Sequence, residues 1–367
     1  TTGILIVCGH QQDMRAAVLQ EYGEPLAVEE VPEPEPGRDE AVVAVEACGL
    51  CRSDWHAWQG HGEWANDQVP VGQVLGHEPA GEVVETGADV DTIEVGDEVV
   101  VPFSLGCGSC EHCQEGRGNV CHRGSALGFE PDVPGAFAQQ VVVPAPDYNL
   151  ALLPDTLSPR GAAALGCRYA TAYHALVDRV KVSDGDWLAV HGCGGVGLST
   201  VQLGNALGAR VIAVDIDDDA LGRAANLGAV ETVSAATQSP ASQIESLTGG
   251  GADVSFDAVG ISETCRNSVA CLRERGIHAQ VGLTTAAEKG QIALPTDQMT
   301  RWEISFVGCR GIPPTRLSAL FELIATTDIE PGKLVTRDLA LEEVSDRLAV
   351  MDEYDTAGVE VVTEFAD

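Results

Sequence analysis

Four cysteines constrain this chain more than anything else in it. Cys107, Cys110, Cys113 and Cys121 form a Cys-x2-Cys-x2-Cys-x7-Cys run in a glycine-bearing loop at 106–122. A tetrahedral ion needs four soft ligands, and short spacers let one backbone segment wrap around it, which points to Zn²⁺. Iron–sulfur clusters also use closely spaced cysteines and stand as the rival. Disulfides are a poor alternative, because three cysteines within seven residues crowd one another and the cysteines group in ligand patterns. His112 and His122 lie beside the ligands as substitutes, yet four thiolates already fill a structural site. A closed all-thiolate site has no open position, so it holds a loop and the chemistry must lie elsewhere.

The chain has 367 residues, enough for about two domains that each bury a core. No apolar run reaches spanning length, so no transmembrane helix is expected. Acidic residues number 56 against 21 basic ones, a formal charge of −35, and only Lys181, Lys289 and Lys333 are lysines. The excess is spread along the chain, which implies a solvated acidic surface of the kind a halophile's cytoplasm favours. It also excludes nucleic acid and anionic membrane as partners. Residues 4–8 are apolar but no basic region precedes them, a poor signal peptide, and residues 1–13 read as an N-terminal extension before Met14. Reduced thiols in a cytoplasmic enzyme are the expectation. Cys8, Cys48, Cys193, Cys265, Cys271 and Cys309 have no ligand pattern and read as buried thiols.

From Met14 to about Val143 the pattern is strand-like. Short β-branched runs at 41–45, 81–85 and 98–102, broken by proline and glycine, predict an irregular β domain. Beyond Cys167, strands at 188–191, 210–214, 254–257 and 278–281 are interleaved with helices at 197–207 and 220–227. That alternation predicts a parallel sheet covered on both faces. It ends near Gly308; 315–326 reads as a helix and 359–362 as a strand returning to the first domain.

Gly192-x-Gly194-x-x-Gly197 follows a predicted strand and opens a predicted helix, and Asp215 ends the next strand. This is the dinucleotide-binding pattern: the glycines admit a pyrophosphate at the helix N-terminus, and the acid reads the ribose. An acid there repels a 2′-phosphate, so NAD is favoured over NADP. Cys51, His77 within Gly76-His77-Glu78, and Cys167 supply two thiolates and an imidazole. That set suits a catalytic zinc with one open position, where a bound hydroxyl's pKa drops from ~16 toward ~7. These residues are too far apart in sequence for spacing to make them one site.

Taken together, these motifs resemble those of the zinc-dependent medium-chain alcohol dehydrogenases, over nearly everything from Met14 to about Val362. Cys51-x-Ser53-Asp54-x-His56-Ala-Trp, Gly76-His77-Glu78, the four-cysteine loop, Cys167 with Thr171 and Tyr173, and the glycine turn stand in the family's order. The 57–64 stretch is similar to the microbial tetrameric branch. The resemblance implies an α/β fold: a GroES-like irregular β catalytic domain over 14–167 and 308–367, with the structural zinc loop at 106–122, and a Rossmann doubly wound parallel-sheet domain over 168–307. It implies a homo-oligomer, tetramer over dimer, that moves hydride reversibly between an alcohol and NAD in the cleft between domains.

By the same resemblance, Cys51, His77 and Cys167 bind the catalytic zinc, with Glu78 as a transient ligand and Asp54 orienting His77. Ser53 takes the alcohol proton and passes it through the nicotinamide ribose to His56. Gly192, Gly194, Gly195 and Gly197 cradle the cofactor, Thr171 and Val196 pack against its nicotinamide, Arg52 meets its pyrophosphate and Asp215 its ribose. Phe103, Trp55, Trp58 and Trp64 line the substrate pocket, although core packing is the plainer reading of the tryptophans. Three departures stand out. Arg168 and Tyr169 follow Cys167 where the family has small residues, and either reshape the site or contact phosphate. Residues 216–220 offer no cation, and Gly358-Val359-Glu360 lacks a familiar arginine. A polyol or sugar dehydrogenase on the same scaffold is the alternative, but many of those replace the third cysteine with an acid. A non-catalytic nucleotide-binding relative is the other, opposed by the retained ligands with Ser53 and His56.

Overall fold

Short β-branched runs cannot make long ladders, and in the computed structural model they assemble edge to edge instead. The structure describes residues 12–62, 68–237, 239–353 and 358–366. Glu40–Leu50 is the spine of the first sheet: it pairs antiparallel with Pro79–Thr86, Gln140–Pro144 and Val359–Glu364. Glu98–Val100 and Ala151–Leu152 extend it on one side, and Val335–Ala340 pairs parallel to Val359–Glu364 on the other. Register shifts along the spine bend it, as bulges do. Asp13–Val18 forms a two-stranded sheet with Ala27–Pro32, so this strand begins one residue before Met14.

The second sheet is parallel. Its strands are β1 (Trp187–His191), β2 (Arg210–Asp215), β3 (Glu231–Ser234), β4 (Ala252–Asp257), β5 (Leu272–Gln280) and β6 (Ser305–Gly308). The spatial order is β3-β2-β1-β4-β5-β6, the doubly wound Rossmann arrangement. Strand order reverses at β1/β4, and ligands bind at the carboxyl ends of strands there. The chain passes β1 into Gly195–Ala206, which starts two residues earlier than the apolar pattern predicted because Gly195 and Val196 are already helical. Asp218–Asn226 likewise starts early, because Asp217 caps it by accepting from the Asp219 and Ala220 N–H groups.

The helix Cys167–Tyr173 joins the two bodies. It lies in one continuous apolar core that runs from Ala47 and Ala80 of the first sheet, through Tyr169, Ala172 and Leu176, to Leu188, Val190 and Phe256 of the second. Tyr169 is fully buried and its hydroxyl donates to Gln202 Oε1 at 3.0 Å, tying this helix to Gly195–Ala206. A separate core fills the interior of the first body around Val43, Leu50, Val83 and Phe137. Among the described residues no helix is long and apolar enough to cross a membrane.

Candidate active site

Three chain segments converge at the ends of the first sheet. Cys51 follows the spine strand and is the N-cap of Arg52–Trp58. His77 and Glu78 precede Pro79–Thr86, and Cys167 opens the joining helix. Gly76 makes the approach possible: its φ is +95°, and a Cβ there would lie 2.5 Å from the Phe137 nitrogen. The ligand atoms of Cys51, His77, Glu78 and Cys167 all lie within 4.8 Å of one another.

The electrostatics of this cluster call for a cation. His77 Nδ1 meets Asp54 Oδ1 at 2.8 Å, while Nε2 is buried without a hydrogen-bond partner among the described residues. A buried imidazole nitrogen beside two thiols costs free energy unless it shares a proton with a thiolate or gives its lone pair to a metal ion. Burial disfavours a charged His77, yet Asp54 and Cys51 outweigh it and hold the imidazole well above its ordinary range. The Cys167 thiol draws the Cys51 thiol well below its own. A soft divalent ion replaces that shared proton and satisfies all three groups, so the donor set fits zinc. Asp54 is fully buried; besides His77 its carboxylate accepts from the Cys51 N–H at 2.9 Å and the Gly76 N–H at 3.2 Å.

Glu78 faces the cluster from a buried ion pair. Arg168 Nε donates to its Oε1 at 3.2 Å and Nη2 to its Oε2 at 2.5 Å. Burial pushes the Glu78 carboxyl up to about 7, against the pull of Arg168.

The glycine turn begins at the carboxyl end of β1. A Cβ at Gly197 would lie 1.7 Å from the Gly192 carbonyl oxygen, so only glycine lets the helix pack this close. Gly194 is exposed, and a Cβ there would meet nothing within 4 Å. Asp215, at the end of β2, accepts from the Cys193 N–H at 2.6 Å and from the Ile216 and Asp217 N–H groups at 2.7 and 3.0 Å. An open turn at a helix N-terminus with a locked carboxylate beside it fits a dinucleotide.

The chain is similar to known proteins along most of its length. Residues 37–155 match the family described as alcohol dehydrogenase GroES-like domain, and residues 195–326 match zinc-binding dehydrogenase. The NAD-dependent alcohol dehydrogenase of Sulfurisphaera tokodaii is 32% identical over 95% of this chain and 99% of its own. The sorbitol dehydrogenase of Bacillus subtilis is 32% identical over 92% of this chain and 93% of its own. Among solved structures, alcohol dehydrogenase TADH from Thermus sp. ATN1 superposes with a TM-score of 0.87 at 31% identity, covering 96% of this chain and 100% of that one. The chain belongs to the zinc-dependent medium-chain alcohol dehydrogenase family.

For a member of this family, the second cysteine cluster has the geometry of a closed site. Cys110 Sγ lies 3.6 Å from Cys113 Sγ and 3.5 Å from Cys121 Sγ, and Cys107 Sγ lies 4.0 Å from Cys113 Sγ. A tetrahedron with Zn–S arms of ~2.3 Å has edges of roughly 3.8 Å, whereas a disulfide needs ~2.05 Å. The four sulfurs therefore fit zinc. His112 and His122 pair with each other at 3.0 Å through Nε2.

Around the cluster, the described tryptophans Trp55 and Trp58 pack in the core, the plainer of their two readings. Trp58 is buried in the core of the first body, its indole N–H donating to the Glu24 carbonyl at 2.6 Å. Trp55 donates to Asp352 Oδ1 at 2.6 Å and carries the Arg52 guanidinium 3.7 Å from its ring centroid. Arg52 also donates to the Met351 carbonyl. Trp64 and Cys8 lie outside the described residues. Phe103 does stand beside the site, 5.8 Å from the His77 ring, and Phe129, which no motif singled out, is closer at 4.9 Å. Ser53 Oγ lies 3.8 Å from Cys51 Sγ. Thr171 is buried on the joining helix and Val196 is half-buried at the start of the next. His56 Nδ1 meets His61 Nδ1 at 2.9 Å, a partner no spacing rule pointed to. Of the unassigned cysteines, Cys48, Cys193, Cys265 and Cys271 are buried, but Cys309 is only half-buried.

Proposed function

We propose that this chain is an alcohol dehydrogenase that moves hydride reversibly between a small alcohol and NAD, giving the aldehyde or ketone. The observation that carries this reading is the convergence of Cys51, His77 and Cys167 around a buried imidazole nitrogen that has no geometric hydrogen-bond partner among the described residues. Zinc in that cluster supplies a Lewis acid that acidifies an alcohol hydroxyl, and NAD supplies the hydride acceptor.

The chain's own residues do the rest. Asp54 accepts the hydrogen bond of the His77 Nδ1–H and so leaves Nε2 as the ligating atom. Glu78, held by Arg168, stands by as a further ligand. Ser53, beside Cys51, receives the alcohol proton, and His56 carries it outward to His61. Burial, with help from His61 and Arg52, lowers the His56 imidazole to about 4, so at neutral pH the ring is uncharged. Gly192, Gly194, Gly195 and Gly197 admit the cofactor, Thr171 and Val196 support its nicotinamide end, Arg52 serves its phosphates and Asp215 its ribose. Asp215, with no cation at 216–220, favours NAD over NADP. A second zinc in the four-cysteine loop anchors that loop. The charge of −35 suits a cytoplasmic enzyme of a salt-loving cell, and the 57–64 stretch favours a tetramer.

The sorbitol dehydrogenase relative supports a second reading, oxidation of a polyol, which Cys167 in place of an acid disfavours. A panel of primary, secondary and cyclic alcohols and polyols, run with both cofactors in molar salt and followed by NADH absorbance, separates the two. Cys51→Ala should contain one zinc fewer per chain by elemental analysis. Its turnover should fall at least ~10³-fold, the several kcal/mol that a Lewis acid contributes. Normal turnover in that variant would overturn zinc-assisted hydride transfer.

A further inference from the structure

Arg168 follows the third member of the metal cluster and faces two ways. Its main-chain N–H, Nε and Nη2 all donate to the Glu78 carboxylate, at 3.3, 3.2 and 2.5 Å. Its side chain is 6% exposed and that of Glu78 is 0% exposed. Among the described residues, Nη1 donates to no protein acceptor. That remaining nitrogen lies toward the first turn of Gly195–Ala206: a Cβ on Gly195 would sit 2.6 Å from Arg168 Cδ and 3.5 Å from Nη1. Any larger residue at 195 would therefore displace the guanidinium. One residue earlier, at Gly194, the turn opens to free space. The opposite side of the pair is made by two more close approaches. A Cβ at Gly49 would fall 2.2 Å from Glu78 Oε2, and one at Gly166 would fall 2.4 Å from Glu78 Cβ. Three backbone segments thus leave room for this one pair.

An arginine in this position has a planar fork with one edge committed and one free. The free edge adjoins a helix start that already favours anions, and residues 216–220 supply no cation of their own. We propose that Arg168 is a positioning residue that joins the two halves of the site: Nη1 donates to a pyrophosphate oxygen of the bound dinucleotide while Nε and Nη2 hold Glu78 at the metal cluster. The inference rests on the cofactor reading given above. It makes cofactor affinity depend on a residue adjacent to a metal ligand, so the dinucleotide and the cluster carboxylate share one cation.

The test uses the zinc-loaded enzyme in molar salt and three probes: NADH, ADP-ribose and adenosine. Binding is followed by NADH fluorescence, by calorimetry, and by saturation-transfer NMR for adenosine. Arg168→Gln should weaken NADH and ADP-ribose at least tenfold and leave adenosine within about twofold, because adenosine has no pyrophosphate. Arg168→Gln alone strands a buried carboxylate and risks the fold. The double variant Arg168→Gln/Glu78→Gln replaces the ion pair with two amides that can hydrogen-bond each other, and it should bind ADP-ribose as weakly. Arg168→Lys should recover part of the loss. If the double variant binds ADP-ribose like the parent, or if ADP-ribose and adenosine weaken equally in Arg168→Gln, the proposal is overturned. Failure of the parent itself to bind NADH or ADP-ribose would sink the cofactor reading, and this inference with it.

Discussion

Asp54 shows how much a single side chain can organise. It is the third residue of Arg52–Trp58 and reaches back to the Cys51 N–H, while its other oxygen meets His77 Nδ1 and the Gly76 N–H. One carboxylate therefore fixes two of the three segments that form the cluster. In Asp54→Asn an amide NH₂ must face an N–H donor, so one of those contacts becomes repulsive. Zinc affinity at the catalytic cluster should fall about 10–100-fold, as for other outer partners of ligating histidines. Competition with a chelator, with zinc counted per chain, checks this; retention of wild-type affinity would deny Asp54 its orienting role. At this scale Asp54 was named only through the family resemblance, since its partner His77 lies 23 residues away. His61 was not: it reaches His56 only through a bend containing Gly60, whose φ is +68°. Nor was the direction of Arg168, which depends on where Glu78 and Gly195 meet.

At the scale of elements, β1 carries a liability. His191 ends the strand and is 1% exposed, with Nε2 3.6 Å from Cys271 Sγ. Burial, aided by His278, lowers its imidazole to about 3. An unfolded histidine takes up its proton near 6.5, so between roughly pH 6.5 and 3 the unfolded chain binds more protons than the folded one. Stability is therefore intact above pH 6.5 and declines as pH falls. His191 alone should account for roughly 2 kcal/mol between pH 6.5 and 5. Urea unfolding at pH 7.5 and 5 should show this loss, and His191→Asn should make it smaller; an unchanged slope would mean that His191 is not titrating. His56, lowered to about 4, adds to the same slope and leaves a remainder in that variant. Among elements, the apolar strands and long helices of the second body were legible. Glu231–Ser234 and Val335–Ala340 were not, since short polar strands show no alternation and exist only because a neighbour offers a ladder.

For the molecule as a whole, the charge dominates. A formal −35 on one chain repels itself over distances of about 10 Å at 0.1 M salt and about 3 Å at 1 M. Raising KCl from 0.1 to 3 M should raise the melting temperature by on the order of 10 °C. Scanning calorimetry across that range tests it, and a flat or falling melting temperature would show that self-repulsion is not what limits stability.

Local pattern alone determined a great deal. Period and punctuation set the order of β and α/β regions, the cysteine spacings marked a loop whose four sulfurs gather, and the glycines marked the turn from strand into helix. All of these are short-range, so neighbours in sequence are neighbours in space. Only the tertiary structure decided which distant groups meet. It brought residues 51, 77, 78 and 167 within 4.8 Å, sent Trp58 into the core, and turned Arg168 between a carboxylate and a helix. Those outcomes depend on side-chain direction and on the room left by glycines of other segments, which no single stretch of chain encodes.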